Sequence, residues 1–420
     1  MKTPCEIITI GSELISGKTL DLNSCYAADK LTALGLNVTR ITSIGDDHKM
    51  VSEALKNALQ DSRVVIVTGG LGSTEDDITN EIVAKALERP LTLHRKILEH
   101  IKNRAQSMNM KMTASLEKMA WMPEGSRILD PDGEACGFSL EKNDVLFYFL
   151  PGVPDQMQYL MDRFVLPEII GLYEKLPFVR QRILKLYGLS EPQIAETLKS
   201  LAGKTGDVIL GFYPHFPENH ITLTLSKSDE TEVEKELEKI ESEIRDLLGP
   251  YIFCSGNAEI EDIVGAILLS RNLTISVAES CTGGLIGYRL TKVPGSSGYF
   301  QGGAVVYSNR SKISLLDVHP DTLKNHGAVS DKTVKEMAHG IRKNMETDLG
   351  LAVTGIAGPD GGSHDKPVGT VYIGLSSSDE LVSCRYLFRG NRNKIRLNAS
   401  MMALDWIRRY LNGDSFLLSI

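Results

Sequence analysis

The residues best suited to chemistry lie in one short run, Ala278 to Gly284 (A-E-S-C-T-G-G). The run follows an apolar, strand-like stretch, Leu273 to Val277, and its small and polar residues predict that a helix opens there. A hydroxyl, a thiol and the unpaired N–H groups of a helix N-terminus would then lie together. Such a site is suited to attack on a carbonyl carbon or to holding an anion.

Similar loops recur in the last third of the chain. Small residues follow or precede strand-like runs at Val305 to Asn309, Thr354 to Gly362 and Pro367 to Thr370, and Gly390 to Arg392 precedes a basic helix start. Glycines after a strand let backbone amides approach a ligand without a Cβ in the way. Open α/β sheets bind ligands at strand ends, so these stretches are candidate ligand-binding loops.

The elements that must position these loops alternate between strand and helix patterns. Near the N-terminus, Ile7 to Ile10 and Val64 to Val67 are short apolar runs that end at glycines, and helical spacing lies between them. The middle of the chain instead shows alternating strands and a Glu-rich amphipathic helix. We predict an α/β fold: two three-layer α/β domains, residues 1–172 and 257–420, joined by a small α+β domain, residues 173–256.

Composition narrows the class of protein. The chain has 420 residues, 42% of them hydrophobic and 24% charged, and a net charge of -8 that does not favour nucleic-acid binding. The six cysteines include no Cys-x-x-Cys pair, which favours reduced thiols. The sequence has neither a signal-peptide pattern nor an apolar stretch long enough to span a membrane. We therefore expect a cytoplasmic globular protein.

Four ordered motifs in the last third resemble the C-terminal domain of the CinA family. They are Ala278 to Gly284, Tyr307-Ser308-Asn309, Thr354 to Gly362 and Lys366 to Thr370. Several motifs in order are far more specific than one short pattern. The resemblance implies a homodimeric nicotinamide-nucleotide amidohydrolase, which converts nicotinamide mononucleotide to nicotinate mononucleotide and ammonia and uses no cofactor for this reaction.

Hydrolysis of a carboxamide needs a nucleophile, a base, donors for the oxyanion and an acid for the departing ammonia. On this chain the resemblance implies Ser280 as nucleophile and Lys312 as base, because a desolvated lysine can be neutral. Tyr307 is expected to orient them, and amides near Thr282 to hold the oxyanion. The expected substrate contacts are Ala278, Cys281, Gly283, Thr354, Gly355, Gly358, Arg392 and Arg396, with Arg392 on the phosphate.

Each of these residues also has a structural alternative. Ser280 and Thr282 are good helix N-caps. Cys281 is a rival nucleophile, although an isolated cysteine is usually a small buried hydrophobe. Lys312, taken singly, is typical of a surface lysine. Arg396 is the alternative ligand for the substrate phosphate.

A second candidate site lies in the N-terminal third. Thr68 to Asp77 (T-G-G-L-G-S-T-E-D-D), with Gly11 to Leu14 and Pro151 to Pro154, resembles the molybdopterin-binding-like N-terminal domain of the same family. The resemblance implies a metal-dependent ADP-ribose pyrophosphatase. Glycines followed by aspartates suit a phosphate held beside a divalent ion. The expected nucleotide contacts are Gly69, Gly70, Gly72 and Thr74, and the expected metal ligands are Asp76, Asp77 and Glu13.

The alternative for this second motif is also structural: Thr74, Asp76 and Asp77 cap the following helix and complement its charge. The chain departs from the family pattern at both sites. Arg310 and Ser311 stand where the family has an acidic residue and alanine, and Ser73 and Gln156 stand where it commonly has proline and glutamate. The added positive charge is expected to alter affinity or lower the lysine pKa, and the lost carboxylate to weaken metal binding.

A function of another class competes with hydrolysis. The chain would then be a nucleotide- or pterin-binding adaptor linked to competence or DNA damage, without deamidase activity. The net acidity and the intact pair of Ser280 and Lys312 favour an enzyme. We expect nicotinamide mononucleotide, ADP-ribose and a second copy of the chain as partners, and neither a membrane nor a nucleic acid.

Overall fold

The structure is a computed structural model that describes residues 4–74, 77–131, 136–173 and 176–416. The chain divides into two compact units, one of Met1–Arg180 with Ser226–Glu234 and one of Gln181–Leu225 with Lys235–Ile420. Both combine helices with sheets, which confirms the predicted α/β class. Within the described ranges no helix is long and apolar enough to cross a membrane.

The first unit is built on a mixed sheet. Its strands are β1 (Pro4–Ile10), β2 (Asn37–Ile44), β3 (Val64–Thr68), β4 (Leu91–Leu93), β5 (Trp121–Pro123), β6 (Arg127–Ile128), β7 (Phe138–Lys142) and β8 (Val145–Leu150). The sheet order is β2-β1-β3-β8-β7-β6, and β4 pairs with β5 separately. Strands β1, β2, β3 and β8 are parallel, whereas β7 and β6 form an antiparallel edge. Such an edge is common on parallel sheets.

Helices cover both faces of this sheet. They are α1 (Ser12–Ile15), α2 (Leu22–Ala33), α3 (His48–Asp61), α4 (Thr79–Ala86), α5 (Arg95–Ser107), α6 (Ala114–Lys118), α7 (Pro154–Leu160) and α8 (Leu166–Gly171). Ile8 and Val65 face a core with Leu55 of α3, while Ile7 faces a second core with Leu31 of α2. Successive strand side chains point to opposite faces, so this alternation produces three layers.

The middle of the chain folds around a four-stranded sheet. Its strands are β9 (Phe178–Leu186), β10 (Ile209–His215), β11 (Glu218–Lys227) and β12 (Ile252–Ser255), and their order in the sheet is β10-β11-β9-β12. The sequence spacing of Val233, Leu237, Ile240, Ile244 and Leu247 predicts the buried stripe of the Glu-rich helix. The first four are buried as predicted, but Leu247 is exposed and Leu248 is buried in its place. A step of four from Ile244 keeps Leu248 on the buried stripe. The helices of this part are α9 (Glu191–Thr197) and the Glu-rich α10 (Glu230–Leu248).

The last third forms another sheet. Its elements are α11 (Ile260–Ser270), β13 (Ile275–Glu279), α12 (Leu285–Lys292), β14 (Phe300–Val305), α13 (Asn309–Leu316), α14 (Pro320–His326), α15 (Asp331–Asn344), β15 (Leu349–Gly355), β16 (Thr370–Ser376), β17 (Leu381–Leu387) and α16 (Arg392–Asn412). The strand order is β14-β13-β15-β16-β17, with β14, β13 and β15 parallel and the last two strands antiparallel. Helices α11, α12 and α16 pack on one face, and α13, α14 and α15 on the other.

This topology gathers the candidate loops at one edge. The C-terminal ends of the parallel strands β13, β14 and β15 lie there, and the antiparallel strand β16 begins there. The loops after β13, β14 and β15 and before β16 are therefore neighbours, although they are spread over about a hundred residues of sequence. The edge brings the resembling motifs together.

The packing of α15 generates a test of this fold. A Cβ added at Gly340 would lie 2.0 Å from the carbonyl oxygen of Leu316, which belongs to α13. Gly340→Ala is therefore expected to lower the free energy of unfolding by about 1–3 kcal/mol, since overpacking forces the backbone to move. Urea unfolding measures this through Trp406 fluorescence in a Trp121→Phe background. Lys343→Ala, at an exposed site on the same helix, is the control, and equal stability of the two variants would contradict this packing.

Candidate active site

Ser280 stands at the end of the central strand β13. Its backbone N–H donates to the carbonyl of Val353 on β15 at 3.0 Å, and its side chain is 8% exposed. Strand β13 extends to Glu279 and α12 begins at Leu285, with Gly284 as N-cap. The helix that the run Ala278 to Gly284 is predicted to open therefore begins directly after this run, and the N-cap alternative for Ser280 and Thr282 is wrong. The serine belongs to a turn between a strand and a helix.

Lys312 reaches this serine from α13. Its Nζ lies 3.1 Å from the Oγ of Ser280 and donates to the carbonyl oxygen of Val306 at 2.7 Å. The lysine is 1% exposed, so the alternative of an ordinary surface lysine is wrong. Burial lowers the pKa of the Lys312 amine, because desolvation disfavours the charged form. A neutral amine can donate to Val306 and still offer its lone pair to the serine hydroxyl.

Thr282 lies in the turn that follows the nucleophile. It is fully buried, and its Oγ1 has no hydrogen-bond partner in the described structure. Among those same residues its backbone N–H meets no acceptor either. Buried polar groups without partners are uncommon and call for an explanation. The hydroxyl and the backbone N–H of Thr282 are therefore uncommitted within the described structure.

Cys281, the rival nucleophile, belongs to a hydrophobic core. Its side chain is buried in the core that α11, α12 and α16 form on the other face of the sheet. Burial raises the pKa of its thiol to about 12. The thiolate is the reactive form of cysteine, so the rival reading of Cys281 as nucleophile loses its physical basis.

Tyr307 and two arginines border the site. Arg392 donates to the Oη of Tyr307 at 2.8 Å and to the carbonyl of Gly358 at 2.7 Å. Arg396, one turn further along α16, donates to the carbonyl of Thr282 at 2.8 Å. Tyr307 is 61% exposed and Arg392 is exposed, whereas Arg396 is partly buried. Arg392 thus lies at the rim, and Arg396 holds the turn.

The other predicted contacts lie on neighbouring strand ends. Ala278 is buried in β13, and Gly283 lies beneath the Arg396 side chain with a positive φ of 62°. The hydroxyl of Thr354 donates to the carbonyl of Ala328 at 2.8 Å. Gly355 ends β15, and a Cβ there would lie 2.8 Å from the carbonyl oxygen of Thr370. These positions shape the walls of the site.

The N-terminal motif lines a separate cavity of about 750 Å³ in the first unit. Gly69, Gly70, Gly72 and Thr74, the expected nucleotide contacts, line this cavity. A Cβ at Gly69, where φ is 108°, would lie 2.0 Å from the carbonyl oxygen of Ile10, so this strand end requires glycine. Residues of α5 and α6 and of the segments directly after them also line the cavity, among them His100, Arg104, Met108 and Met119.

The acidic residues of this cavity have protein partners. Asp77 accepts hydrogen bonds from the backbone N–H and the hydroxyl of Thr74 at 2.8 and 2.6 Å, and Asp46 accepts from Ser12. Glu13 also lines the cavity, while Asp76 lies outside the described residues. Within the described ranges, no cluster of three potential metal-ligating side chains occurs. These residues do not by themselves fit a divalent ion, and no catalytic step through a metal follows from them.

Helix α4 settles the capping alternative for this motif. Its N-cap is Ile78, with no side-chain cap hydrogen bond. Asp77 binds Thr74 instead of a helix amide. The capping part of the structural alternative is therefore wrong for the two residues of the motif that the structure describes, Thr74 and Asp77. Their hydrogen bonds close the loop that borders the cavity.

Comparisons with known proteins agree on one family. Its profiles match as "Probable molybdopterin binding domain" over residues 6–170, "Damage-inducible protein CinA KH domain" over 181–254 and "CinA C-terminal domain" over 257–411. A CinA-like protein of Geotalea uraniireducens is 38% identical over 405 residues, 96% of each chain. A putative competence-damage inducible protein of Caldanaerobacter subterraneus is 38% identical over 410 residues, 97% of this chain and 98% of the relative.

The chain belongs to the CinA family. Among solved structures, the competence/damage inducible protein CihA of Agrobacterium tumefaciens is 36% identical and covers 38% of this chain and 99% of its own, with a TM-score of 0.35. The middle segment, to which the sequence analysis assigned no chemistry, is the part that matches the CinA KH profile.

Sequence reasoning missed two contributors to the CinA C-terminal site. The carbonyl of Val306 fixes the Lys312 amine, and the carboxylate of Glu279 accepts backbone N–H groups at the start of α12. A backbone carbonyl leaves no trace in residue type. The role of Glu279 does have a signal in the sequence. It is an acidic residue directly before a serine at a strand end, followed within a few residues by a glycine-rich helix start.

The opposite surroundings of the cysteines give a test of the site's orientation. With its pKa raised to about 12 by burial, Cys281 is expected to resist a disulfide reagent at pH 8, whereas the exposed Cys25 reacts. Mass spectrometry of the native protein after brief treatment measures both sites, and urea-unfolded protein provides the control in which both react. Modification of Cys281 at the rate of Cys25 would contradict the described burial.

Proposed function

We propose that the C-terminal part of this chain hydrolyses the carboxamide of nicotinamide mononucleotide to nicotinate mononucleotide and ammonia. The observation that carries the proposal is the buried Lys312 amine 3.1 Å from the Oγ of Ser280. A serine hydroxyl is a weak nucleophile unless a neighbour takes its proton. Burial lowers the pKa of the Lys312 amine, so its neutral form, which can accept that proton, is easier to reach.

The reaction proceeds by acyl transfer. Lys312 takes the proton of Ser280 as the Oγ attacks the carboxamide carbon, and the backbone N–H of Thr282 donates to the oxyanion. The ammonium of Lys312 then gives its proton to the leaving nitrogen, which departs as ammonia. A water that Lys312 deprotonates attacks the acyl-enzyme and releases nicotinate mononucleotide with Ser280 restored.

The rim supports a phosphorylated substrate. Arg392 is exposed and has guanidinium N–H groups beyond those on Tyr307 and Gly358. A planar guanidinium suits two phosphate oxygens. Arg396 is engaged with the carbonyl of Thr282 and is partly buried, so we assign the phosphate to Arg392 and the positioning of the turn to Arg396.

Amide hydrolysis is tested by replacing the two reacting groups. Purified full-length protein is expected to release ammonia from nicotinamide mononucleotide in the presence of EDTA, and Ser280→Ala and Lys312→Ala to lose about a thousand-fold or more in kcat. Because the base must be neutral, kcat/KM is expected to rise with pH and to level off below the usual lysine pKa of 10.5.

The controls are exposed residues of the same kinds, Ser270→Ala and Lys332→Ala, for which we expect unchanged kcat. Circular dichroism confirms that all four variants are folded. Full activity of Lys312→Ala would overturn the mechanism. No turnover by the intact protein would overturn the assigned reaction and favour a binding or adaptor role.

We also propose that the N-terminal cavity binds ADP-ribose and supports its hydrolysis when a divalent metal ion is added. The glycines at three strand ends and a cavity of about 750 Å³ support a nucleotide-sized ligand, and the apolar side chains of Ile101 and Leu116 in its lining suit a base. The metal requirement comes from the resemblance, because the described carboxylates do not form an ion site.

The second activity is tested independently of the first. Glu13→Gln and Asp77→Asn are expected to lower ADP-ribose hydrolysis about tenfold or more, while Ser280→Ala leaves it unchanged. Asp61→Asn, an exposed acid of the same unit, is the control. Calorimetry with ADP-ribose and no metal measures binding separately. Absence of both binding and hydrolysis in the intact protein would contradict this proposal.

A further inference from the structure

Glu279 is buried immediately before the nucleophile, and the reaction proposed above does not use it. It is 2% exposed, and its carboxylate accepts hydrogen bonds from the backbone N–H groups of Gly284 at 3.0 Å, Ile286 at 3.1 Å and Gly287 at 2.8 Å. These amides belong to the N-cap and first turn of α12. A buried carboxylate is costly unless it is bonded, and these bonds hold it in place.

This carboxylate closes the turn that presents the nucleophile. The chain leaves β13 at Glu279, passes through Ser280 and Thr282, and returns at Gly284 to the Glu279 side chain. Within the turn, the N–H of Gly283 donates to the carbonyl of Ser280 at 3.2 Å. The turn is therefore fixed at both of its ends and through its middle.

The backbone of Glu279 joins the same network on the side of the base. Its carbonyl accepts from the N–H of Val306 at 2.8 Å, and the carbonyl of Val306 accepts from the Nζ of Lys312 at 2.7 Å. The Nζ of Lys312 in turn lies 3.1 Å from the Oγ of Ser280, the residue next to Glu279. The positions of the nucleophile Ser280 and the base Lys312 are thus both fixed through hydrogen bonds that lead to Glu279.

The side chain also decides which amides remain available. A helix N-terminus normally offers its free N–H groups to an anion. At α12 those groups are directed to Glu279, whereas the donors of Thr282 meet no acceptor within the described structure. The negative charge at the helix start also compensates the helix dipole. The donors left for an oxyanion are therefore those of Thr282 in the turn and not those at the start of α12.

We propose that Glu279 is a positioning residue for amide hydrolysis: its carboxylate sets the Ser280 to Thr282 turn so that the serine Oγ meets Lys312 and the Thr282 amide meets the oxyanion. This inference rests on the proposed function of the same site. Glutamine at this position would place its NH₂ group, a hydrogen-bond donor, against backbone N–H groups that are also donors. At least one of the hydrogen bonds is therefore lost. A displacement of about 1 Å at a reacting atom can cost a hundredfold in rate.

The test compares Glu279→Gln with Glu261→Gln in the full-length protein. Glu261 is also buried, at 4% exposure, and contacts α12 through Arg289, but it does not touch the turn. We expect Glu279→Gln to lower kcat about 10- to 100-fold with KM changed less than about threefold. Its pH profile should keep the wild-type midpoint, because Lys312 stays buried. Glu261→Gln should lose thermal stability yet keep kcat within about threefold.

A second readout separates this inference from the proposed substrate. A fluorophosphonate that labels activated serines, followed by mass spectrometry at Ser280, reports the turn without nicotinamide mononucleotide. We expect Glu279→Gln to slow labelling by the same factor as kcat. If the intact protein is labelled but does not release ammonia, the assigned reaction fails and the labelling rates still decide the role of Glu279.

Three outcomes would overturn the inference. The first is that Glu279→Gln leaves kcat and the labelling rate unchanged. The second is that Glu279→Gln and Glu261→Gln lose kcat equally. The third is that the pH midpoint of Glu279→Gln shifts toward that of an exposed lysine, which would indicate a loosened, hydrated site. If Glu279→Gln does not fold, Glu279→Asp retains the charge one methylene further back. We expect it to fold and to show the same loss of kcat, and wild-type kcat in that variant would overturn the inference as well.

Discussion

The burial of one amine against one hydroxyl constrains the whole C-terminal site. A lysine held at 1% exposure must lose much of its preference for the charged form, and only a fixed hydrogen-bond acceptor makes such burial tolerable. Val306 supplies that acceptor through its carbonyl. The strand end at Ser280 and the first turn of α13 hold the Lys312 amine and the Ser280 hydroxyl in contact and away from water.

The two candidate sites use the same element of architecture for different ends. In both units, loops leave the carboxyl ends of parallel strands, where side chains and amides converge. In the first unit, glycines such as Gly69 open a large cavity because no Cβ fits beside the neighbouring strand. In the C-terminal part, the corresponding strand ends instead carry polar side chains, Ser280 directly after β13 and Thr354 in β15, and both are buried.

Carboxylates play contrasting roles in these sites. Glu279 and Asp77 each accept backbone N–H groups and thereby fix the loop beside a candidate ligand position. Residue type alone favoured a metal-ligand reading for Asp77 and gave no reading for Glu279. Acids next to glycine-rich loops can therefore stabilise the loop instead of contacting the ligand, because an ionised carboxylate is a strong acceptor for clustered amides.

The sequence by itself determined the α/β class, several strands and helices and the family, because hydrophobic periodicity and ordered motifs are local properties of the chain. Through the resemblance it pointed to Ser280 and Lys312 as a pair, and it left Cys281 as a rival nucleophile. Only the tertiary structure decided that α12 begins at Leu285, that the thiol faces the core and that the lysine is buried. Burial, direction and hydrogen-bond partners arise from residues distant in sequence, so no local pattern encodes them.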